Sequence, residues 1–135
     1  MVYDNDDFSP ESEQGAFNFG IEYLRTLTYL ERALIMAFLE NDFTQVHELL
    51  EELYDNLFEW MKNDELKEHN DLRAKEYVAH KKFIEAKQLG KKTVPTWVIE
   101  TYRVRTRALK KLIHKKGLRM PKKDDPAFAL SGMHY

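Results

Sequence analysis

Hydrophobic positions recur three and four residues apart along most of this chain, which is the period of one helix face, and nowhere do they alternate in the manner of a strand. Phe17, Ile21, Leu24, Leu27, Leu34, Ile35 and Phe38 predict a first helix from about Glu13. Only the sector of Glu22, Arg25, Tyr29 and Arg32 reads as polar, so that helix is expected to be central or to lie at an oligomer interface. Glu40, Asn41 and Asp42 form a polar break, and Asp42 with Gln45 is spaced as a capping box. Val46, Leu49, Leu50, Leu53, Leu57 and Met61 then give a clean stripe that ends at Lys62, Asn63 and Asp64.

A third helix is expected over residues 65–89, with Leu72, Ala79, Phe83 and Ala86 on one side and Leu66, Tyr77 and Ile84 beside them, the weakest stripe of the four. Gly90 stops it, and a fourth helix begins near Thr93 to Pro95 and ends at Gly117. Short loops join antiparallel neighbours, so the expected fold is all-α, a four-helix bundle of two antiparallel hairpins spanning 13–117. Residues 1–12 read as a flexible acidic arm, and 118–135 as an extended basic tail that docks on its own bundle or on a neighbour.

The 135 residues suit one domain. The longest apolar run, 33–39, is far short of the roughly 20 residues of a membrane span, and the acidic start is unlike a signal peptide. No membrane association is expected. The absence of cysteine removes disulfides, thiolate zinc sites and cysteine nucleophiles, and suits the cytoplasm or a virion assembled there.

Charge changes the picture more. The net charge of −2 conceals 18 acidic against 4 basic residues through Asp71, and 5 against 17 afterwards. Such asymmetry points to a nucleic acid, an acidic surface or another copy of the chain as partner, unless the halves neutralise each other on folding.

Glu48, Glu52, Asp55 and Glu59 stand at i, i+4, i+7 and i+11 of the second helix and form an acidic ridge roughly opposite its apolar stripe. A solvated face is the plain reading. Arg103, Arg107, Lys110 and His114 repeat that spacing on the fourth helix, with Lys111 alongside and Lys115, Arg119, Lys122 and Lys123 following. This basic surface suits a phosphate backbone or an acidic partner, although no helix-turn-helix, zinc-finger or phosphate-loop motif accompanies it. The two ridges also suit each other, within one chain or between two.

Histidines 47, 69, 80, 114 and 134 form no i, i+4 pair among themselves and are expected to be ordinary surface or boundary residues. Ser9, Ser12 and Ser131 lie in the arms without a nucleophile motif, and Trp60, Trp97 and the tyrosines are expected at the core or its edge.

Glu48-Leu49-Leu50-Glu51 and Glu68-His69-Asn70-Asp71 resemble the E-x-x-E and E-x-x-D pairs of MazG-like all-α nucleotide pyrophosphatases. That resemblance implies Mg²⁺ held by Glu48, Glu51, Glu68 and Asp71, carboxylates being what a hard cation takes. Residues 112–130 and 35–55 look like small helical proteins encoded by tailed viruses and plasmids of bacteria and archaea, which implies a mobile-element origin and a role in binding or assembly. The overall expectation is a non-enzymatic, self-associating binding protein without a cofactor, with a nucleic-acid binder and a Mg²⁺-dependent pyrophosphatase as alternatives.

Overall fold

The computed structural model describes residues 13–120, with side chains from residue 20 onward. The acidic arm, Lys122, Lys123, His134, the three serines of the arms and the tail beyond Met120 lie outside the described residues, as does the side chain of Phe17. Among the described residues the chain is all-α: α1 (Glu13–Leu39), α2 (Phe43–Leu57) with a 3₁₀ turn (Phe58–Trp60), α3 (Asn63–Gln88) and α4 (Thr96–Lys115). No strand occurs among them.

Each boundary has a local cause. At the end of α1 the Asn41 N–H donates to Phe38 O and the Asp42 N–H to Ala37 O, while Asn41 takes φ 55°, a left-handed residue that asparagine tolerates. Asp42 then caps α2, its Oδ1 accepting from Gln45 N at 3.2 Å. Replacing Asp42 with Ala is expected to cost about 1 kcal/mol in a denaturant titration. At the start of α3 the Lys62 N–H donates to Glu65 Oε1 at 2.9 Å, and at its end Gly90 and Lys91 close the same kind of turn with Gly90 at φ 73°. Pro95 caps α4 and Gly117, at φ 68°, follows its end.

The second helix is shorter than its stripe predicts. It tightens into the 3₁₀ turn after Leu57, so Glu59 stands beyond the α-helix and is not in phase with Glu48, Glu52 and Asp55.

Two compact units divide the chain within α1. Residues Leu30–Gly117 make one, in which Leu30, Leu34 and Ala37 of α1, Val46, Leu50, Leu53 and Leu57 of α2, Ala79 and Ala86 of α3, and Val98, Tyr102, Leu109 and Ile113 of α4 are buried. Phe43 joins the helices: its ring stacks on Tyr102 at 5.2 Å and meets Phe38 and Phe83 edge-on at 6.1 and 5.7 Å. Of the other unit, 13–29 and 118–120 are described; Ile21 packs with Leu24 and Met120 there.

Candidate binding surfaces and a buried polar network

The weak stripe of α3 has a specific cause: the positions in phase with Leu72, Ala79, Phe83 and Ala86 include Glu65, His69 and Glu76, all buried. On α4 the stripe Val98, Tyr102, Leu109, Leu112 contains Arg105 in the same way, and Arg105 is only 1% exposed. Glu76 and Arg105 meet. Arg105 reaches Glu76 Oε1 through one terminal nitrogen at 2.9 Å and Glu51 Oε2 through the other at 2.8 Å, the second contact an ion pair without hydrogen-bond alignment.

Glu51 is held from several sides. Arg73 donates to it from Nε and a terminal nitrogen at 2.7 to 3.1 Å, and the Tyr77 hydroxyl donates at 2.7 Å. Partial burial pushes its carboxyl up, but the Arg73, Tyr77 and Arg105 contacts outweigh that and hold it at about 2. Arg73 also lies over the Tyr54 ring, 4.8 Å from its centroid. Burial pushes Glu76 up, while His47 and Arg105 pull against it.

His47 Nδ1 lies 2.9 and 3.0 Å from the two Glu76 oxygens, and the His47 ring stacks on His80 at 4.0 Å with 11° between planes. His80 Nδ1 shares a hydrogen bond of 2.7 Å with the Tyr102 hydroxyl. Burial, and secondarily His47, lowers His80 to about 4, so it is neutral at pH 7. Of the histidines expected at the surface or its boundary, His114 is exposed and His47 and His80 are half-buried, the last two as parts of this network, whereas His69 is buried. Spacing among histidines carries no trace of it, because the partners come from three helices; a charged residue in phase with an apolar stripe, as at Glu76 and Arg105, is the signal that was present.

Ligand atoms of His47, Glu76 and His80 lie within 4.8 Å of one another, the distance expected of a metal site. Ring geometry and charge oppose that use. Near-parallel rings 4.0 Å apart direct their in-plane lone pairs side by side, so no ion near 2.1 Å from both nitrogens lies in both ring planes. Arg105 already compensates Glu76, and an added dication would face that guanidinium.

The four acids of the pyrophosphatase resemblance are not drawn together: Glu51 belongs to Arg73 and Arg105, while Glu48, Glu68 and Asp71 are exposed. Their exposure has a plain origin, since they fall outside the buried stripes of α2 and α3.

Both ridges face outward. Glu48, Glu52, Asp55 and Glu59 are exposed and form no ion pair among the described residues. Arg103, Lys111 and His114 are exposed and Lys110 half-exposed, again without an ion pair; Arg107 is bound to Glu100 on its own helix at 2.9 Å. Lys115 leaves the free set because it pairs with Glu65, as does Lys116 at 3.0 Å, and these contacts hold Glu65 at about 2. Arg119 is exposed. Among the described residues the acidic and basic halves meet through Glu51 and Glu65, which pair with Arg73, Arg105, Lys115 and Lys116, and the exposed acidic ridge takes no part.

Against known protein families, curated proteins and solved structures the chain shows no match. Beside the basic ridge lies a groove of about 330 Å³ lined by Glu31, Leu34, Ile35, Phe38 and Leu39 of α1 and by Arg103, Thr106, Arg107 and Lys110 of α4. Ile35, Met36 and Leu39 are 48%, 53% and 72% exposed, so one side of this helix packs inward and another presents large apolar side chains to solvent. Phe58 and Trp60, at the end of the acidic ridge, are each 45% exposed, as is Trp97 to a similar degree. No helix among the described residues is long and apolar enough to cross a membrane.

Proposed function

We propose that this is a non-enzymatic binding and assembly protein whose principal partner is another copy of itself. The single observation that carries the reading is the exposed apolar stripe Ile35, Met36 and Leu39, bordered by the unpaired cations Arg103 and Lys110. Apolar side chains of this size left in water favour association, because covering them gains roughly 25 cal/mol per Å². The charged border contributes orientation and encounter rate more than affinity. The buried pairs of Arg105 with Glu76 and Glu51 join α2, α3 and α4 and specify how those helices pack.

Light scattering over a concentration and salt series tests this reading. A mass above that of the monomer is expected at low salt, with partial dissociation as salt screens the ridges over about 10 Å at 0.1 M. A strict monomer at all concentrations and salts would refute self-association.

A second reading is favoured by the unpaired Arg103, Lys110, Lys111 and His114: the same face binds a nucleic acid through its phosphates. That reading expects retention on DNA or RNA at low salt, lost as salt rises, and abolished by reversing Arg103, Arg107 and Lys110.

A further inference from the structure

We propose that the cleft between α3 and α4 binds a small zwitterion with an apolar substituent, an α-amino acid of the leucine, methionine or phenylalanine type. Glu68 takes its ammonium, Lys111 its carboxylate, and His69 a further proton of the ammonium. This site goes beyond self-association and is complete in a single copy of the chain.

Two helix faces build the cleft. Glu65, Glu68, His69 and Leu72 stand at i, i+3, i+4 and i+7 of α3, and Val104, Arg107, Ala108 and Lys111 repeat that spacing on α4. The space between them measures about 390 Å³, within the roughly 300–1,000 Å³ of small-molecule sites. Ala108 has the smallest side chain of the lining, and two long side chains beside it are already engaged: Arg107 binds Glu100 at 2.9 Å, and Lys115 binds Glu65.

His69 is the observation that points to a ligand. Its side chain lines the cleft although the residue is 5% exposed, and its Nδ1 has no hydrogen-bond partner. Buried polar atoms are nearly always paired, so an unpartnered imidazole beside an open cleft is one that a bound donor satisfies. Burial above all lowers His69, so the ring is neutral at pH 7 and keeps a lone pair with which to accept.

Charge selects the ligand. Arg107 is held by Glu100, and Glu65 is shared by Lys115 and Lys116. The charged groups of the lining that form no ion pair among the described residues are therefore Glu68 on α3 and Lys111 on α4, both exposed. One acid and one base thus stand on opposite walls. A lone anion would meet Glu65 and Glu68, and a lone cation would meet Arg107, Lys111 and Lys115; a molecule carrying both charges is answered on each side. Between the walls Leu72, Val104, Ala108 and Leu112 offer an apolar surface, with Val104 38% exposed, which suits an alkyl, thioether or aromatic substituent.

The test titrates the full-length protein with free L-leucine, L-methionine and L-phenylalanine, followed by calorimetry and by the imidazole resonances of His69, assigned with His69→Gln. At least one of the three is expected to bind and to move His69 more than the other histidines. Glu68→Gln and Lys111→Met, both at exposed positions, are each expected to weaken that binding roughly tenfold, the worth of one charge-assisted contact. Ala108→Leu fills the cleft and is expected to abolish binding while the circular dichroism stays helical.

The deaminated and decarboxylated analogues of the bound amino acid give a readout that needs no variant, and each is expected to bind roughly tenfold more weakly or worse. Equal binding of either analogue would overturn the zwitterion in favour of a simple anion or cation site. No movement of His69 with any of the three amino acids up to about 10 mM would overturn the proposal whatever the oligomeric state. Binding that survives Ala108→Leu would place the ligand elsewhere and overturn it too.

Discussion

Replacing Arg105 with Met is expected to destabilise the protein by about 3–5 kcal/mol, the loss that follows when one partner of a buried ion pair is removed. Arg105 is 1% exposed and Glu76 fully buried, so Glu76 would keep its desolvation cost without the guanidinium that compensates it. Glu51 would suffer less, because Arg73 and Tyr77 remain on it. Removing both partners, as Arg105→Met with Glu76→Met, is expected to cost clearly less than the Arg105 change alone, since no charge is then stranded. Denaturant titrations of the two single variants and the double variant measure the coupling. Losses that simply add would show that the two groups do not act as a pair.

Acidification is expected to lower stability in two stages. His80 is lowered to about 4, first by burial and then by His47, against 6.5 for an unfolded chain. Between those values the unfolded chain binds a proton that the folded protein refuses, so the contribution is complete above about 6.5 and declines as the pH falls towards 4. Glu51, held at about 2 against 4.5 by Arg73, Tyr77 and Arg105 once burial is outweighed, adds a second decline between about 4.5 and 2. Glu76 works in the opposite direction, because burial raises its carboxyl and protonation relieves that cost. Thermal midpoints should therefore be level above pH 7 and fall below it, and His80→Gln should reduce the stage above pH 4, leaving the part that comes from His69, which burial also lowers, and the lower stage. A wild-type midpoint unchanged from pH 7 to 5 would contradict the placement of His80.

These two outcomes concern groups that hold the helices together, while association concerns groups the helices leave outside. The separation follows from burial: where Glu76 and Arg105 are withdrawn from water, each compels the presence of the other, whereas Glu48 or Lys110 on the surface is satisfied by water until a partner arrives.

The four helices were legible in the amino-acid order because their causes are local. Asp42 caps α2, Gly90 accepts a positive φ, Pro95 begins α4, and the three-and-four spacing of Leu49, Leu50, Leu53 and Leu57 requires a buried face. Outward placement of the Glu48 and Arg103 ridges was legible for the same reason, since phase on one helix decides which residues oppose the stripe. The buried network was decided by tertiary structure, apart from the hint of charge within the stripes of α3 and α4. Its contacts between helices join residues 22 to 54 positions apart, as in Arg73 with Glu51, Arg105 with Glu76 and Arg105 with Glu51. Helical periodicity says which way a side chain points from its own axis, and only the packing of α2, α3 and α4 determines what stands opposite it.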